Sequence, residues 1–300
     1  KNTATAKDRF LVKYRNVVNS KKDRKNHKHS TTQTNKGQLR AQAVIIATGG
    51  KSQPQLSGHD SGYYLAKNLG HSCTELFPAL VPVELEDAGS WKRSSGQRVR
   101  AKAHYRSLSG TTSVPVGGEY LFTDYGVSGI AAMELAETIE KDQNPIKGEL
   151  VFDLLPEMST EDLSSFIFKQ VQLNPEYNWE KLLIGLLPLD VIIVFLRTIQ
   201  AGTQIEKTKS GCRQIAGAIK NLSRKVKGTR GYKFAQLTAG GIHTDEVFSE
   251  SMESKICSRL YLPGEILDIN GDTGGYNLRW AFSSAYVAGK SVAAALTANC

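Results

Sequence analysis

Residues 260–296 read LYLPGEILDINGDTGGYNLRWAFSSAYVAGKSVAAAL, and this stretch decides how the rest of the chain is interpreted. The apolar run Leu260–Leu262 indicates a strand, the Gly-rich turn after it indicates a polar loop, and a helix is predicted to begin near Asn277. Gly274 and Gly275 place no Cβ near the first, unpaired N–H groups of that helix. The stretch therefore predicts either a site for an anion or an electron-rich ring edge, or a plain strand-loop-helix connection.

A second apolar run, AVIIA at 43–47, ends in Thr48, Gly49 and Gly50. A run that is apolar on both faces is typical of the middle of a parallel sheet. Ligands approach such sheets at the carboxyl ends of the strands, which here is the position of the two glycines.

Apolar residues at helical spacing predict a buried face on each of two helices. In the helix that begins near Asn277 this stripe is Leu278, Ala281, Phe282, Ala285, Val292 and Leu296. In a helix within residues 58–71 it includes Tyr64, Leu65 and Leu69. His71 follows the end of that helix, so a surface position is favoured over a catalytic one.

From Pro78 onward, short alternating segments predict antiparallel strands of a separate small sheet or barrel. Residues 128–223 are predicted to be mainly helical, without a cluster of acid, base and nucleophile, and strand character returns at 232–244. The predicted fold class is α/β: a nucleotide-binding sheet from residues 1–77 and 237–300, interrupted at 78–236 by an inserted β-barrel and helical domain, with the helical part at about 157–223.

The net charge of +9 is local. Residues 1–40 hold 12 Lys and Arg against 2 Asp and Glu, whereas the remainder is nearly balanced. Most of these charges fall in residues 21–40, which lack aromatic residues and apolar periodicity and are typical of a solvated hairpin loop. A nucleic-acid site is the less favoured interpretation of this loop.

The four cysteines are scattered, without a CxxC pair or a His at ligand spacing. This pattern predicts free thiols in a reducing cytoplasm and no metal site. The longest apolar run, Leu182–Leu196, is short for a membrane span and is interrupted by Pro188 and Asp190. Two buried helices that meet at Pro188 are therefore predicted, and no membrane contact.

Two segments resemble ligand-binding motifs but lack residues that these motifs require. AGKS at 288–291 looks like the end of a phosphate loop, but Ser284 stands where its first Gly is needed. DINGDTGG at 268–275 looks like the start of a calcium loop, but Thr273 and Arg279 occupy the positions of its Gly and Glu. GxSxG, HExxH and GxGxxG do not occur in the sequence.

Seven segments together carry a family pattern: ATGG at 47–50, GYYLAKNLGH at 62–71, PALVPVE at 78–84, LFTDYGVSG at 121–129, TAGGI at 238–242, MESK at 252–255 and GEILDINGDTGGYNLRWAFSSAYVAG at 264–289. From about Phe10 onward the chain resembles the HI0933-like family of FAD-binding proteins. Its members are described as NAD(P)/FAD-dependent oxidoreductases and include BaiN-type bile-acid reductases and proteins named aminoacetone oxidase. Asp124, Ile130 and Ala285 depart from the family pattern, which favours His, Pro and Gly there.

The resemblance implies a Rossmann-like FAD-binding domain whose first βαβ unit, with its GxGxxG turn, is missing, so an N-terminally truncated member is expected. Glu265 is expected to accept hydrogen bonds from ribitol or ribose hydroxyls, and Asp268 either to do the same or, as favoured, to brace the loop. The N–H groups of Asn277 and Leu278 are expected to face the flavin N1 and C2 carbonyl. The expected cofactor-binding set is Thr48, Gly49, Gly50, Gly264, Glu265, Asp268, Gly274, Gly275, Tyr276, Asn277 and Leu278.

The implied activity is hydride transfer through FAD between NAD(P)H and a small organic substrate, such as an enone or a steroid-like compound. Tyr125, Ser128 and Tyr276 are candidates for facing the substrate, although Tyr276 could equally stack on the flavin or only pack. Two alternatives stay open: an FAD-dependent amine oxidase that uses oxygen, and a nucleic-acid-associated or non-enzymatic flavin-binding module.

Overall fold

The structure, a computed structural model, describes residues 9–18, 33–144, 146–200 and 204–298. The strands are β1 (Phe10–Val18), β2 (Gln33–Ala41), β3 (Val44–Ile45), β4 (Phe77–Ala79), β5 (Val83–Leu85), β6 (Arg98–Arg106), β7 (Val116–Phe122), β8 (Gly126–Ser128), β9 (Glu149–Asp153), β10 (Leu222–Thr229), β11 (Leu237–Ala239) and β12 (Leu260–Tyr261). The helices are α1 (Ser61–Asn68), α2 (Ile130–Glu134), α3 (Ala136–Lys141), α4 (Thr160–Leu173), α5 (Trp179–Leu183), α6 (Leu189–Ile199), α7 (Lys209–Lys220) and α8 (Tyr276–Thr297).

Both apolar runs form strands, as predicted, and the structure pairs these strands, β3 and β12, in parallel. The N–H of Ile46 donates to the carbonyl of Tyr261 at 2.9 Å and extends the pairing. Because parallel strands end at the same edge of a sheet, Gly49 and Gly264 are brought to one side of the molecule. Burial on both faces was wrongly predicted for the run at 43–47: Ile45 is 42% exposed, since β12 is the only partner of β3 within the described residues.

Six antiparallel strands close into a barrel in the order β10, β5, β8, β7, β6, β9. Side chains alternate between its interior and its surface, because successive residues of a strand face opposite sides. In β6, for example, Val99, Ala101, Ala103 and Tyr105 are buried. The predicted barrel is thus present, whereas the proposed domain boundaries near residues 78 and 236 remain a prediction; β4 and β11 pair with each other at these two points.

The helices α4–α7 share one hydrophobic core with the barrel, in which Phe152 of β9 lies in the same cluster as Ile167, Phe195 and Ile215. Two helices are present where predicted, α5 and α6, but only α6 begins directly after Pro188, because α5 already ends at Leu183. No helix within the described ranges is both long and apolar enough to cross a bilayer. A helix predicted to extend to residue 223 is corrected, because the chain enters strand β10 at Leu222.

A second core surrounds the β3–β12 pair and takes Tyr63 from α1 and Ala288 from α8. The predicted buried stripes of these helices are wrong: Leu278 is 68% exposed, Phe282 75% and Tyr64 66%. Helix α8 packs instead through the small residues Ser284 and Ala288, whereas α1 packs through Tyr63, the neighbour of Tyr64. The strongly basic segment 21–28 lies outside the described residues.

Candidate active site

A cleft of about 500 Å³ lies where the start of α8 meets α2 and the β4–β11 pair. Its walls are mainly apolar, with a few polar groups at one side. This composition suits a ligand with a flat apolar body and a small number of hydrogen-bonding atoms. The residues that define it are Leu80, Ile130, Met133, Leu237, Glu265, Gly274, Gly275, Asn277, Leu278, Trp280 and Ala281.

The N-terminus of α8 opens on this cleft without a capping side chain. Gly274 and Gly275 have φ angles of 112° and 93°, a left-handed conformation that favours glycine. The Asn277 side chain both accepts from the Gly271 N–H and donates to the Gly271 carbonyl, each at 2.8 Å, which fixes the turn. Within the described chain, the N–H groups of Tyr276, Asn277 and Leu278 have no acceptor, so the helix start can bind one from a ligand.

Glu265 lies at the polar side of the cleft. Its Oε1 accepts the Thr238 N–H at 2.8 Å, and the Gly50 backbone packs so closely on it that a Cβ there would collide with Oε1. Burial raises the pKa of Glu265 above its ordinary value, although the N–H groups of Thr238 and Gly50 act in the opposite direction. Oε2 receives no hydrogen bond from any described residue, which leaves it available to a ligand hydroxyl.

The turn after β3 is held by Thr238. Its Oγ1 accepts the N–H groups of Lys51 at 2.8 Å and Ser52 at 3.0 Å. Gly49 adopts a φ of 69°, and the absence of a Cβ at Gly62 makes room for the Thr48 hydroxyl beside α1. The backbone of this turn is therefore fixed next to Glu265.

Gly264 and Asp268 have internal partners. The Gly264 N–H donates to Ser284 Oγ at 2.9 Å, and its carbonyl accepts from Trp280 Nε1 at 3.1 Å, so β12 is tied to α8. Asp268 accepts from Thr74 Oγ1 at 2.9 Å, and its own N–H donates to the Ile242 carbonyl. These contacts are those of a residue that braces the loop.

None of the three candidate substrate-facing residues is among those that line the cleft. Tyr276, 58% exposed, begins α8 beside Gly271. Tyr125 lies in the β7–β8 turn under the guanidinium of Arg230. Ser128 ends β8, two residues before Ile130, which does line the cleft. An acid or base for the reaction is therefore not assigned to any of them.

The wall opposite α8 was missed by sequence reasoning. It comes from α2, which contributes Ile130 and Met133, and from Leu80. Thr273 Oγ1 donates to Glu134 at 2.5 Å and links the turn before α8 to α2. Of these residues, only Ile130 stood out in the sequence, because it departs from the family pattern. Leu80 and Met133 did not, because contacts between distant segments leave no local periodicity.

His71 was expected at the surface, and this is corrected. The ring is buried, with Nδ1 2.8 Å from Glu246 Oε2 and Nε2 2.7 Å from Ser254 Oγ. Ser254 Oγ also accepts the N–H groups of Ile256 and Cys257. With both lone pairs so used, its hydroxyl donates to Nε2, and the Nδ1 hydrogen donates to Glu246. A Ser-His-Glu arrangement buried in this way holds a loop together and offers no nucleophile to substrate.

No group of three or more His, Cys, Asp or Glu side chains in the described ranges could hold a metal ion. Two carboxyl groups line the cleft, those of Glu265 and Asp272.

The chain is similar to proteins with two different named activities. The chain is 32% identical over 258 residues to the 3-dehydro-bile acid delta(4,6)-reductase of Clostridium scindens, which covers 84% of this chain and 62% of that protein. It is 29% identical to the ribosomal RNA dihydrouridine synthases of Haemophilus influenzae, over 263 residues, and of Escherichia coli, over 256 residues. These alignments cover 87% and 84% of this chain, and 62% and 61% of those proteins. The chain thus spans about three fifths of the length of these relatives.

The family model described as HI0933-like protein Rossmann domain matches residues 2–291, nearly the whole chain. The matched range includes the β3–β12 pair and most of helix α8. The protein belongs to the HI0933-like family.

Proposed function

We propose that the protein is a flavin-dependent reductase that uses NAD(P)H to saturate a carbon–carbon double bond conjugated to a carbonyl group. The observation that carries this proposal is the uncapped start of α8, which opens on an apolar cleft of about 500 Å³. An unpaired helix N-terminus binds an electron-rich ring edge, and the apolar walls bind the flat body of a substrate beside it.

The residues around the cleft fit FAD. The three free N–H groups at Tyr276, Asn277 and Leu278 match the acceptors at the flavin N1 and C2 carbonyl. At Gly275 no heavy atom lies within 4 Å of where a Cβ would be, so there is room for a ring against the backbone. Glu265 Oε2 is free to accept from a ribitol or ribose hydroxyl. Gly49 and Gly50 would supply close backbone contact to the adenosine-pyrophosphate part.

When bound, FAD supplies two-electron chemistry between the nicotinamide donor and the substrate. The start of α8 would stabilise negative charge on a bound, reduced flavin by about 0.3–2 kcal/mol. For a two-electron couple this corresponds to tens of millivolts at most, since about 30 mV equals roughly 1.4 kcal/mol. The helix start therefore tunes the cofactor, whereas Ile130, Met133 and Leu80 select the substrate by shape.

The names of the relatives support one reaction class. A delta(4,6)-reductase of a 3-dehydro compound and a dihydrouridine synthase both, by name, saturate a C=C bond conjugated to a carbonyl. Such a reaction places a hydride on the β-carbon and a proton on the α-carbon. The two names differ in the molecule that carries this group, so they favour the chemistry more strongly than a substrate.

A small apolar substrate, such as an enone of steroid-like shape, is the first candidate because the cleft walls are largely aliphatic. Uracil within RNA is the second candidate. It is favoured by two relatives with that named activity and by the concentration of Lys and Arg in residues 1–40. The amine-oxidase alternative has no comparable support.

Cys73, Cys212 and Cys257 are unpaired thiols, which fits the reducing cytoplasm that the proposal assumes.

The test uses the complete protein purified with FAD under anaerobic conditions. NADH or NADPH should bleach the flavin absorbance, and a 3-oxo-4,6-diene steroid acid or a uridine-containing RNA should restore it with formation of the saturated product. A protein that binds no flavin, or whose reduced flavin is reoxidised only by oxygen with release of peroxide, would contradict the proposal. The two substrates distinguish the first candidate from the second.

A further inference from the structure

Arg230 is held between two aromatic rings. Its guanidinium carbon lies 4.2 Å from the ring centroid of Tyr125 and 3.6 Å from that of Phe234. Both rings contact the guanidinium as cation–π partners, which need none of its N–H groups. In the part of the chain that the structure describes, the side-chain N–H groups of Arg230 donate to no carboxylate, carbonyl or hydroxyl. The rings of Tyr125 and Phe234 therefore hold the guanidinium in place and leave its N–H donors unpaired.

Arg230 lies next to the cleft along one backbone ladder. The N–H of Gln236 donates to the Leu80 carbonyl at 3.1 Å, and the N–H of Arg230 donates to the Pro82 carbonyl at 3.0 Å. Leu80 and Gln236 both line the cleft. Pro82 follows Leu80 by two residues, so Arg230 pairs with the segment that continues from the cleft wall. Arg230 thus lies beside the cleft.

Two further cations lie on the same turn or contact it. Lys233 Nζ is 5.7 Å from the Phe234 ring centroid, and Lys51 Nζ is 4.6 Å from that of Tyr232. The Gln53 N–H donates to the Tyr232 carbonyl at 3.0 Å, which joins this turn to the segment after Gly49 and Gly50. Positive charge is thus gathered beside both the cleft and the segment expected to contact the cofactor.

We propose that Arg230 binds a phosphate group of a ligand that enters the cleft. A planar guanidinium with unpaired donors binds phosphate through two parallel hydrogen bonds, and neighbouring lysines favour a group that carries up to two negative charges. The inference rests on the proposed function, which supplies two sources of such a group. One is the ribose 2′-phosphate of NADPH, and the other is the backbone of an RNA substrate.

The experiment compares wild-type protein, Arg230→Gln and Arg230→Lys, each complete and loaded with FAD. Calorimetry gives the Kd for NADP⁺ and for NAD⁺, which differ only in the 2′-phosphate, and fluorescence anisotropy gives the Kd for a labelled single-stranded RNA dodecamer. Arg230→Gln should weaken one of the two phosphate ligands about tenfold or more, with NAD⁺ unchanged. Arg230→Lys should be intermediate, because it keeps the charge but loses the planar fork.

Arg213→Gln serves as the matched control, since Arg213 is exposed on α7 and is not among the residues that line the cleft. The proposal is overturned if folded Arg230→Gln binds both NADP⁺ and RNA as wild type does, or if wild-type protein binds neither ligand. Loss of NAD⁺ and NADP⁺ binding to the same extent would also overturn it, because that result indicates a purely structural role. Bleaching of the wild-type flavin by NADH or NADPH tests the proposed function separately, so the two failures are distinguishable.

Discussion

The Thr238 N–H donates to Glu265 Oε1 at 2.8 Å, although 27 residues separate them in the chain. This contact joins β11 to the turn after β12 and places a buried carboxyl group against the Gly50 backbone. Three segments that the sequence keeps far apart therefore meet at one carboxylate, and this junction forms the polar side of the cleft.

Glu265 should make stability depend on pH. Burial raises its pKa above the ordinary value of 4.5, so the folded state holds the proton more tightly than the unfolded chain does. The stabilisation is complete below pH 4.5 and is lost as pH rises through the folded-state pKa. Glu265→Gln cannot titrate, so the unfolding free energy of wild type minus that of Glu265→Gln should fall as pH rises from about 4 to about 7. Urea denaturation at a series of pH values measures this, and a constant difference would refute it.

Ser254→Ala should cost about 2–4 kcal/mol of unfolding free energy, because it removes a hydroxyl that accepts two backbone N–H groups and donates to buried His71. Chemical denaturation measures the loss. His59→Ala is the control, since the His59 side chain is 71% exposed, and it should change the free energy by less than about 0.5 kcal/mol. Equal effects of the two substitutions would show that the His71 arrangement contributes nothing.

Glu246, the other partner of His71, should make the stability of the fold depend on pH in the acidic range. Burial by itself would raise its pKa, but hydrogen bonds from Ser72 and His71 outweigh this and lower the pKa below its ordinary value. Its stabilisation is therefore present above the unfolded pKa and lost as pH falls through the folded one. Glu246→Gln should show a weaker loss of stability than wild type between about pH 5 and about pH 3, measured by urea denaturation. A parallel decline in both proteins would contradict this assignment.

Local pattern was enough to predict much of the fold. Alternation gave the β6 strand, the break at Pro188 separated α5 from α6, and two apolar runs predicted strands β3 and β12, although not their pairing. These features depend on neighbours in sequence, through the strand and helix periods. The helix start at residue 276 was likewise predicted within one residue, because the glycines before it are a local signal.

The predictions that failed concern features that depend on contacts between distant segments. Periodicity shows that α8 has an apolar stripe but not which face packs inward, and small residues such as Ala288 do so here. Strand β10 was missed because Arg224, an inward-facing residue, interrupts its apolar alternation. Similarly, Leu80 and Met133 line the cleft together although they lie far apart in the sequence.

Arg224 also allows a test of how the barrel tolerates a buried charge. Its side chain is almost fully buried, stacks 4.1 Å from the Trp91 ring centroid and pairs with Asp87. Asp87→Ala leaves this cation without its partner, which should cost about 3–5 kcal/mol, whereas Arg224→Met removes the charge and keeps most of the volume. Asp87→Ala is therefore expected to be the more destabilising change in thermal denaturation. Lys225→Met, at an exposed position of the same strand, is the control, and the reverse order would contradict the argument.

Gly275→Ala tests the helix start as the flavin site. Gly275 has a φ of 93°, which an alanine adopts only at a cost of about 1–2 kcal/mol, and the added Cβ would project at the end of α8 that is proposed to meet the ring. The Kd for FAD, measured on the complete protein by quenching of flavin fluorescence, should rise about tenfold. Gly217→Ala is the matched control: it lies within α7 with no atom within 4 Å of the new Cβ. It should raise stability by up to about 1 kcal/mol and leave FAD binding unchanged. If Gly275→Ala instead binds FAD as tightly as wild type, the flavin edge does not lie at the start of α8.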